Sequence, residues 1–176
     1  LQFLYFIDKR TEFDMSDDET FESADSGASL TYPVSAGNLK KGHHVCVNGF
    51  PCKIIEITTS KTGKHGHAKA NITAVDIFTN KKYEEVSPTS HSLPVPNVKT
   101  NTYDLIDIAD KADDQDKYVV SLMDGEGETR EDLNLPDDEE LAKRIRAAYA
   151  KGDNVAVQVV AAMGIERIMG IKTSTE

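Results

Sequence analysis

The dipeptide Asn48-Gly49, set between two short apolar stretches, constrains the fold of this chain more than any other feature. Asn-Gly is a preferred centre for a two-residue β-hairpin turn, because both positions need a positive φ. With this turn, Val45 lies opposite Cys52, and Cys46 lies opposite Pro51. Side chains alternate between the two faces of a strand. The sequence therefore predicts a hairpin whose two cysteines point to opposite faces.

Further strand patterns surround this hairpin and predict a small barrel. Two runs, Lys53–Ile57 and Lys69–Val75, bracket a polar loop. Two more, Ala74–Phe78 and Lys82–Val86, bracket a turn at Thr79-Asn80. Short strands at this spacing, without a long helical pattern between them, are typical of small β-barrels.

The segment His91–Asn97 contains two prolines, Pro94 and Pro96, separated by one residue. Proline fixes φ and lacks an N–H donor, so this segment is expected to be extended and poor in hydrogen bonds. We interpret it as a stiff connector and place a domain boundary at its end.

The second half of the chain predicts further strands and one helix. The strands are Thr102–Ile108, Tyr118–Met123, Glu128–Leu133 and Asn154–Ala162. The helix follows Pro136, begins with acidic residues and ends before Gly152, and its apolar residues recur at helical spacing: Leu141, Ile145, Ala148 and Tyr149. A five-stranded barrel with one helix is the OB-fold arrangement. The acidic insert Asp107–Lys117 is expected to be a surface loop.

The formal net charge of −10 is unevenly distributed along the chain. Residues 1–29 have a net charge of −6, residues 30–97 of +4, and residues 98–176 of −8. We therefore predict a disordered acidic tail at 1–29, a basic domain at 30–97 and an acidic domain at 98–176. Residues 1–14 precede Met15, which resembles a natural start, and we expect them to be a vector-derived extension, with a natural N-terminal arm as the alternative.

Apolar stretches and cysteine usage both bear on the cellular compartment. No apolar stretch approaches the roughly 20 residues that a membrane-spanning helix needs, so no membrane contact is expected. The two cysteines, Cys46 and Cys52, form no Cys-x-x-Cys pair. Such usage fits a reducing compartment, the cytoplasm.

No acidic residue occurs between Glu56 and Asp76, and basic residues concentrate inside this gap. The predicted hairpin tip there consists of lysines, histidines, glycines and one threonine: Lys61, Thr62, Gly63, Lys64, His65, Gly66, His67 and Lys69. Glycines let the backbone turn tightly, and lysines suit phosphate groups. The sequence predicts an exposed cationic loop, although lysine-rich loops without a function are also common on protein surfaces.

Other chemistries fit this loop poorly. A P-loop needs glycine, and Ser or Thr, where this chain has Thr58 and His65. His65 and His67 match no standard zinc spacing with the cysteines or His91, so no metal site is expected. A histidine acting as a general base would have no nucleophile or carboxylate partner nearby. A general single-stranded RNA-binding module stays open as an alternative, although the loop lacks aromatic residues to stack on bases.

The run Ser60–Lys69 resembles the signature of the eukaryotic translation initiation factor 5A family. The resemblance spans residues 15–172 and includes further segments: Tyr32-Pro33, Leu39–Gly42, Asn48–Lys53, Asp76–Phe78, Lys81–Glu84, Val95–Asn97 and Arg130–Leu133. Asn80 stands where glycine is common in the corresponding turn, and residues 164–176 match only loosely.

This resemblance implies a mainly β fold, with an SH3-like N-terminal barrel followed by an OB-fold that carries one α-helix. It implies that Lys64 is converted to hypusine. Deoxyhypusine synthase would transfer an aminobutyl group from spermidine to Lys64, and deoxyhypusine hydroxylase would then add a hydroxyl. Apart from this modification, the resemblance implies no cofactor and no catalytic residue.

The resemblance also implies a translation factor, not an enzyme, that binds the 80S ribosome beside the P-site tRNA. It would promote peptide-bond formation at stalling sequences such as proline runs, as well as elongation and termination, and bacterial elongation factor P is its counterpart. We expect it in the cytoplasm, with the nucleus as a second location, and as a monomer or weak homodimer. The residues expected to contact tRNA, the ribosome or the modifying enzymes are Lys61, Thr62, Gly63, His65, Gly66, His67 and Lys69.

Overall fold

The structure, a computed structural model, describes residues 29–61, 66–110 and 118–174. Within these ranges the chain forms eleven β-strands, a short 3-10 turn and one α-helix. The strands gather in two barrels, each around its own apolar core. The prediction of a mainly β fold with two small barrels and one helix is confirmed. The predicted acidic tail, apart from Ser29, lies outside the described residues.

The N-terminal, SH3-like barrel contains six strands. They are β1 (Thr31–Ser35), β2 (His44–Val47), β3 (Phe50–Lys61), β4 (Ala68–Asp76), β5 (Lys82–Pro88) and β6 (Ser92–Pro96), with the 3-10 turn Ala36–Asn38 after β1. Strands β2, β3, β4 and β5 form one antiparallel sheet in this order, and β1 pairs with β6. Alternate residues of these strands, among them Val45, Ile54 and Ile72, are buried in the core between the two sheets.

The hairpin at Asn48-Gly49 has the predicted register. Val45 lies opposite Cys52 and Cys46 lies opposite Pro51, and both turn residues have a positive φ, 51° for Asn48 and 81° for Gly49. Cys52 is fully buried in the barrel core. The Sγ of Cys46 instead lies 3.8 Å from the Sδ of Met163 in the second barrel. The prediction that the two thiols diverge is confirmed, and both cysteines are free.

The segment that we interpreted as a stiff connector is instead a strand of the first barrel. Residues Ser92–Pro96 pair antiparallel with β1, and Val95, opposite Tyr32, is buried. Pro94 lies opposite Pro33. These prolines are tolerated because β1 and β6 form a two-stranded sheet in which every residue lies on an edge.

The second barrel is an OB-fold with five strands and a helix. The elements are β7 (Lys99–Asp110), β8 (Tyr118–Met123), β9 (Thr129–Asn134), α1 (Glu139–Ala150), β10 (Asn154–Ala162) and β11 (Ile165–Ser174), and the strand order is β11-β10-β7-β8-β9. Strand β7 continues to Asp110, so the first part of the insert Asp107–Lys117 is strand and not loop. Residues 111–117 lie outside the described residues.

Helix α1 begins where the sequence predicted. The carboxylate of Asp138 accepts hydrogen bonds from the backbone N–H groups of Glu140 and Leu141, which caps the first turn. Ile145 and Ala148 are buried against the barrel. The helix has 12 residues, and no helix within the described ranges is long and apolar enough to cross a membrane.

Strand β11 was not predicted. It follows a tight turn at Met163-Gly164, where both residues have a positive φ, 53° and 76°. Glycine, asparagine and aspartate usually signal such a turn, and methionine at its first position does not. Asn80, in the turn between β4 and β5, also has a positive φ, 58°. Asparagine tolerates this conformation, which explains how it can replace glycine there.

Candidate functional site

Strands β3 and β4 form a long hairpin that carries the basic loop. They pair from Cys52 opposite Asp76 to Lys61 opposite Ala68, so residues 62–67 connect the paired ends. Lys64 belongs to this connecting segment. The predicted site residues Thr62, Gly63, Lys64 and His65 lie outside the described residues.

The described site residues lie on both arms of this hairpin. Lys61 is the last residue of β3, and Gly66 and His67 directly precede β4. Lys69 lies opposite Ser60, on the neighbouring strand. The structure therefore places Lys61, His67 and Lys69 near the end of one hairpin, with Lys61 and Lys69 on opposite faces of it.

Near its end, the β3 arm of the hairpin is exposed, whereas Ala70 of the β4 arm, opposite Thr59, is buried in the barrel core. Residues 58–61 of β3 are all exposed, whereas Ile54 is buried and Ile57 is partly buried against the core. At a strand rise of about 3.3 Å per residue, the segment from Ile57 to Lys61 is about 13 Å long. A bulge between Ile54 and Glu56 interrupts the register nearer the core, and bulges increase the local twist of a hairpin. The hairpin end is accessible to a large partner.

A small hydrogen-bonded cluster fixes the base of this loop. The backbone N–H of Thr89 donates to the carbonyl of Ala68, the first residue of β4, at 2.9 Å. The Thr89 carbonyl accepts from the N–H of Gly37 at 2.9 Å and from the Ser35 hydroxyl at 2.8 Å. A Cβ on Gly37 would lie 3.1 Å from this carbonyl oxygen, so the close approach favours glycine.

This cluster was not predicted from the sequence. Ser35, Gly37 and Thr89 are far from the loop in sequence, and none of them belongs to a recognisable motif. A glycine at position 37 was the only signal, and short polar segments often contain glycine without such a role.

The electrostatic environment of the hairpin end is positive. Within the described part of the chain, Lys61, His67 and Lys69 take part in no ion pair. The next carboxylate along β4 is Asp76, which is 2% exposed and accepts hydrogen bonds from Phe78 N–H and the Thr79 hydroxyl. Asp76 therefore stabilises its own turn at the other end of β4, and the lysines stay available to an anionic partner.

The cysteines and histidines in the described ranges do not form a second chemical centre. Burial raises the pKa of the Cys52 thiol to about 11 and also raises the pKa of Cys46, so both thiols are protonated near neutral pH. Burial, with Lys53 and His43 as further causes, lowers the pKa of His44. No group of three or more His, Cys, Asp or Glu residues in these ranges could hold a metal ion.

Two family models match the two barrels. Residues 29–91 match the model described as translation initiation factor 5A-like, N-terminal. Residues 97–172 match the model described as eukaryotic elongation factor 5A hypusine, DNA-binding OB fold. Together these matches cover most of the chain.

Individual relatives match along nearly their full length. Eukaryotic translation initiation factor 5A of Trypanosoma brucei brucei is 51% identical over 166 residues, covering 92% of this chain and 99% of the relative. Eukaryotic translation initiation factor 5A-3 of Arabidopsis thaliana is 48% identical over 159 residues, covering 90% and 97%.

Solved structures agree with these matches. A translation initiation factor 5A family protein from Naegleria fowleri superposes with a TM-score of 0.75 at 55% identity, over 82% of this chain and 99% of that one. Eukaryotic translation initiation factor 5A from Methanococcus jannaschii gives a TM-score of 0.60 at 31% identity, over 81% and 96%. The chain thus belongs to the eukaryotic translation initiation factor 5A family, whose members are translation factors and not enzymes.

Proposed function

We propose that this chain binds the 80S ribosome beside the P-site tRNA and acts there through Lys64 after its conversion to hypusine. The modified side chain would reduce the motion of the peptidyl end, so that the catalytic centre of the ribosome meets a better-aligned substrate. This action would promote peptide-bond formation at stalling sequences such as proline runs, and would assist elongation and termination. The place of action is the cytoplasm, with the nucleus as a second location.

One observation carries this proposal: the segment that contains Lys64 connects the ends of a hairpin that has no acidic residue between Glu56 and Asp76 and whose β3 arm is exposed near its end. The pairing of Lys61 with Ala68 confines Lys64 to a connection of six residues, 62–67. Exposed residues on the neighbouring part of β3 leave a large partner free access to this end of the hairpin. Such a position suits a side chain that must reach into a narrow space on a partner.

The modification makes physical sense at such a position. Deoxyhypusine synthase would attach an aminobutyl group from spermidine to the Nζ of Lys64, and deoxyhypusine hydroxylase would add a hydroxyl. Plain lysine is a single point charge on a four-carbon stem. The modified side chain would be longer and would carry a second amine and a hydroxyl. It could therefore contact the acceptor-end backbone of a tRNA at several points.

The residues around Lys64 would serve its partners. Lys61 and Lys69 are exposed, outside any ion pair in the described ranges, and suited to nearby RNA phosphates. His67 lies between them in the sequence and directly precedes β4. Thr62, Gly63, His65 and Gly66 complete the segment that the two modifying enzymes would recognise. In this role the chain works as a monomer or weak homodimer.

A general single-stranded RNA-binding module is the weaker alternative. Such modules stack bases on aromatic side chains within a basic groove. Residues 58–75, which include the loop and most of β4, contain no aromatic residue. This composition favours a partner that is recognised by its backbone and shape.

Replacement of Lys64 by arginine tests the proposal. Lys64→Arg keeps the positive charge but removes the primary amine that the synthase would modify. We expect cells that depend on this variant to lose most of their translation through a proline-run reporter, and Lys69→Arg to keep it. Full rescue by Lys64→Arg would contradict the proposal.

A further inference from the structure

The four-stranded sheet of the N-terminal barrel has a second cationic surface, away from the loop. The registers place His44, Lys53, Val75 and Lys82 side by side in one row across β2, β3, β4 and β5. Directly opposed residues of neighbouring strands share a face of the sheet. Cys52, next to Lys53 in the chain, points into the core. The row therefore lies on the outer face of the barrel.

A lysine-rich turn extends this row at the edge of the sheet. Residues 40–43 form the turn, in which His43 N–H donates to the Lys40 carbonyl at 3.0 Å. Two backbone hydrogen bonds of 2.8 Å, from Gly42 N–H to the Ile54 carbonyl and from Ile54 N–H to the His43 carbonyl, hold the turn against β3. We name the whole surface the basic face, and its members are Lys40, Lys41, His43, His44, Lys53 and Lys82.

Within the basic face, Lys53 and His43 lie close enough to His44 to affect its charge. After burial, Lys53 and His43 are the causes that lower the pKa of His44. Lys82 forms an ion pair of 3.3 Å with Glu84, but both side chains are largely exposed, so this pair contributes little. Lys40, Lys41 and Lys53 form no ion pair with any described residue.

An acidic row separates the basic face from the loop. The next row toward the loop on this face contains Glu56, Thr73 and Glu84. From Lys53 to Lys61 the strand has eight residue steps, or about 26 Å at 3.3 Å per residue. The basic face is therefore a separate cationic surface and not an extension of the loop.

We propose that the basic face binds the phosphate backbone of ribosomal RNA, as a second contact that orients the barrel while the loop reaches the tRNA. This inference rests on the proposed binding to the ribosome. The exposed lysines suit a polyanion, whose condensed counterions are released on binding. A protein partner would favour an apolar centre in its interface. The row offers only the half-buried Val75 as an apolar side chain.

The dependence of ribosome binding on salt tests this inference. The full chain with plain Lys64 and the triple variant Lys40→Gln, Lys41→Gln, Lys53→Gln are titrated against purified 80S ribosomes at several KCl concentrations. Each phosphate contact contributes about 0.7 to 0.9 to the slope of log K against log salt, so the variant should lower the slope by about 2 to 3. Its affinity should fall at least about tenfold near 0.1 M KCl.

A matched variant in the second barrel controls for the change in net charge. The control variant removes the same number of exposed lysines by Lys143→Gln, Lys151→Gln and Lys172→Gln. Its salt slope should stay within about 1 of the slope of the chain without substitutions. Thermal unfolding should be unchanged in both triple variants, because the substituted side chains are exposed.

Two results would overturn the inference. One is an affinity and slope that match those of the control, and the other is a loss of affinity without a change in slope, which would show that these lysines do not contact phosphate groups. The Lys64→Arg reporter test is independent of this measurement. If Lys64→Arg keeps full activity, the proposed function fails, whereas the salt slope still decides the role of the basic face.

Discussion

The two barrels differ in what their cations contact. Within the described residues, the N-terminal barrel has one ion pair, between Lys82 and Glu84. The OB-fold has several, and they join Arg130 to Asp132 and Glu166, Arg167 to Asp137, and Lys143 to Glu139. The lysines of the first barrel are available to an external polyanion, whereas the ion-paired cations of the second are already neutralised by the protein.

This difference shows that similar β architecture does not determine how the charges of a barrel are paired. Both barrels bury apolar cores of comparable kind, dominated by Val, Ile, Leu and Ala. The distribution of charge separates them, because residues 30–97 have a net charge of +4 and residues 98–176 of −8. The description of the second family model includes DNA binding, yet Arg130 and Arg167 of this OB-fold are each paired with carboxylates. The RNA contacts that we propose for this chain therefore belong to the first barrel.

Arg130 offers the sharpest way to test the comparison. Its guanidinium donates to Asp132 and Glu166, each at 2.6 Å, and its side chain is 27% exposed. Arg130→Gln would leave two carboxylates without their shared cation, so the OB-fold should lose about 1–2 kcal/mol of unfolding free energy at pH 7. Lys53→Gln in the first barrel should change stability by less than about 0.5 kcal/mol. Urea denaturation of the full chain measures both.

The effect of Arg130→Gln should depend on pH. The hydrogen bond from Arg130 is the main cause that lowers the pKa of Asp132 below its usual range. A carboxylate with a lowered folded-state pKa stabilises the protein fully above its unfolded pKa, about 3.9, and loses this contribution as pH falls through the folded value. The difference in unfolding free energy between the unsubstituted chain and Arg130→Gln should therefore shrink below about pH 4. A difference that stayed constant down to pH 2 would show that charge pairing is not its origin.

Gly37→Ala tests whether the contact between Gly37 and Thr89 fixes the base of the loop, and its expected effect on stability is smaller than that of Arg130→Gln. The new Cβ would lie 3.1 Å from the Thr89 carbonyl oxygen, which accepts a hydrogen bond from Gly37 N–H. The barrel should lose about 1 kcal/mol, and the Thr89 amide, which donates to Ala68, should exchange its hydrogen faster. Gly125→Ala, with no atom within 4 Å of its new Cβ, is the control. Equal exchange rates in both variants would rule out a role of Gly37 at the loop base.

Much of the fold could be predicted because local signals and tertiary structure agree. Asn48-Gly49 specified a turn, and alternation then specified the register of β2 and β3. The acidic residues after Pro136 and the apolar spacing located helix α1. Strand β11 was not predicted, because Met163 has a positive φ at a turn position where glycine, asparagine or aspartate is usual. Strand β6 was not predicted, because Pro94 is unfavourable within a strand.

The candidate site could be predicted only in part, for a physical reason. Its charge is visible in sequence, since no acid occurs between Glu56 and Asp76. The contacts at the base of the loop cannot be recognised in the sequence, because Thr89 and Gly37 interact through backbone groups that every residue except proline possesses. The predicted roles of Lys64 and its neighbours, and the domain limits at residues 29 and 97, stay predictions.

The mass of the peptide that contains Lys64, isolated from eukaryotic cells that express this chain, tests the central claim most directly. We predict that Lys64 is heavier by one hydroxylated aminobutyl group, and that Lys61 and Lys69, on either side in the same hairpin, have the mass of plain lysine. Fragmentation of the peptide assigns the added mass to one residue. An unmodified Lys64 in cells that contain both modifying enzymes, or the same added mass on Lys61 or Lys69, would contradict the account.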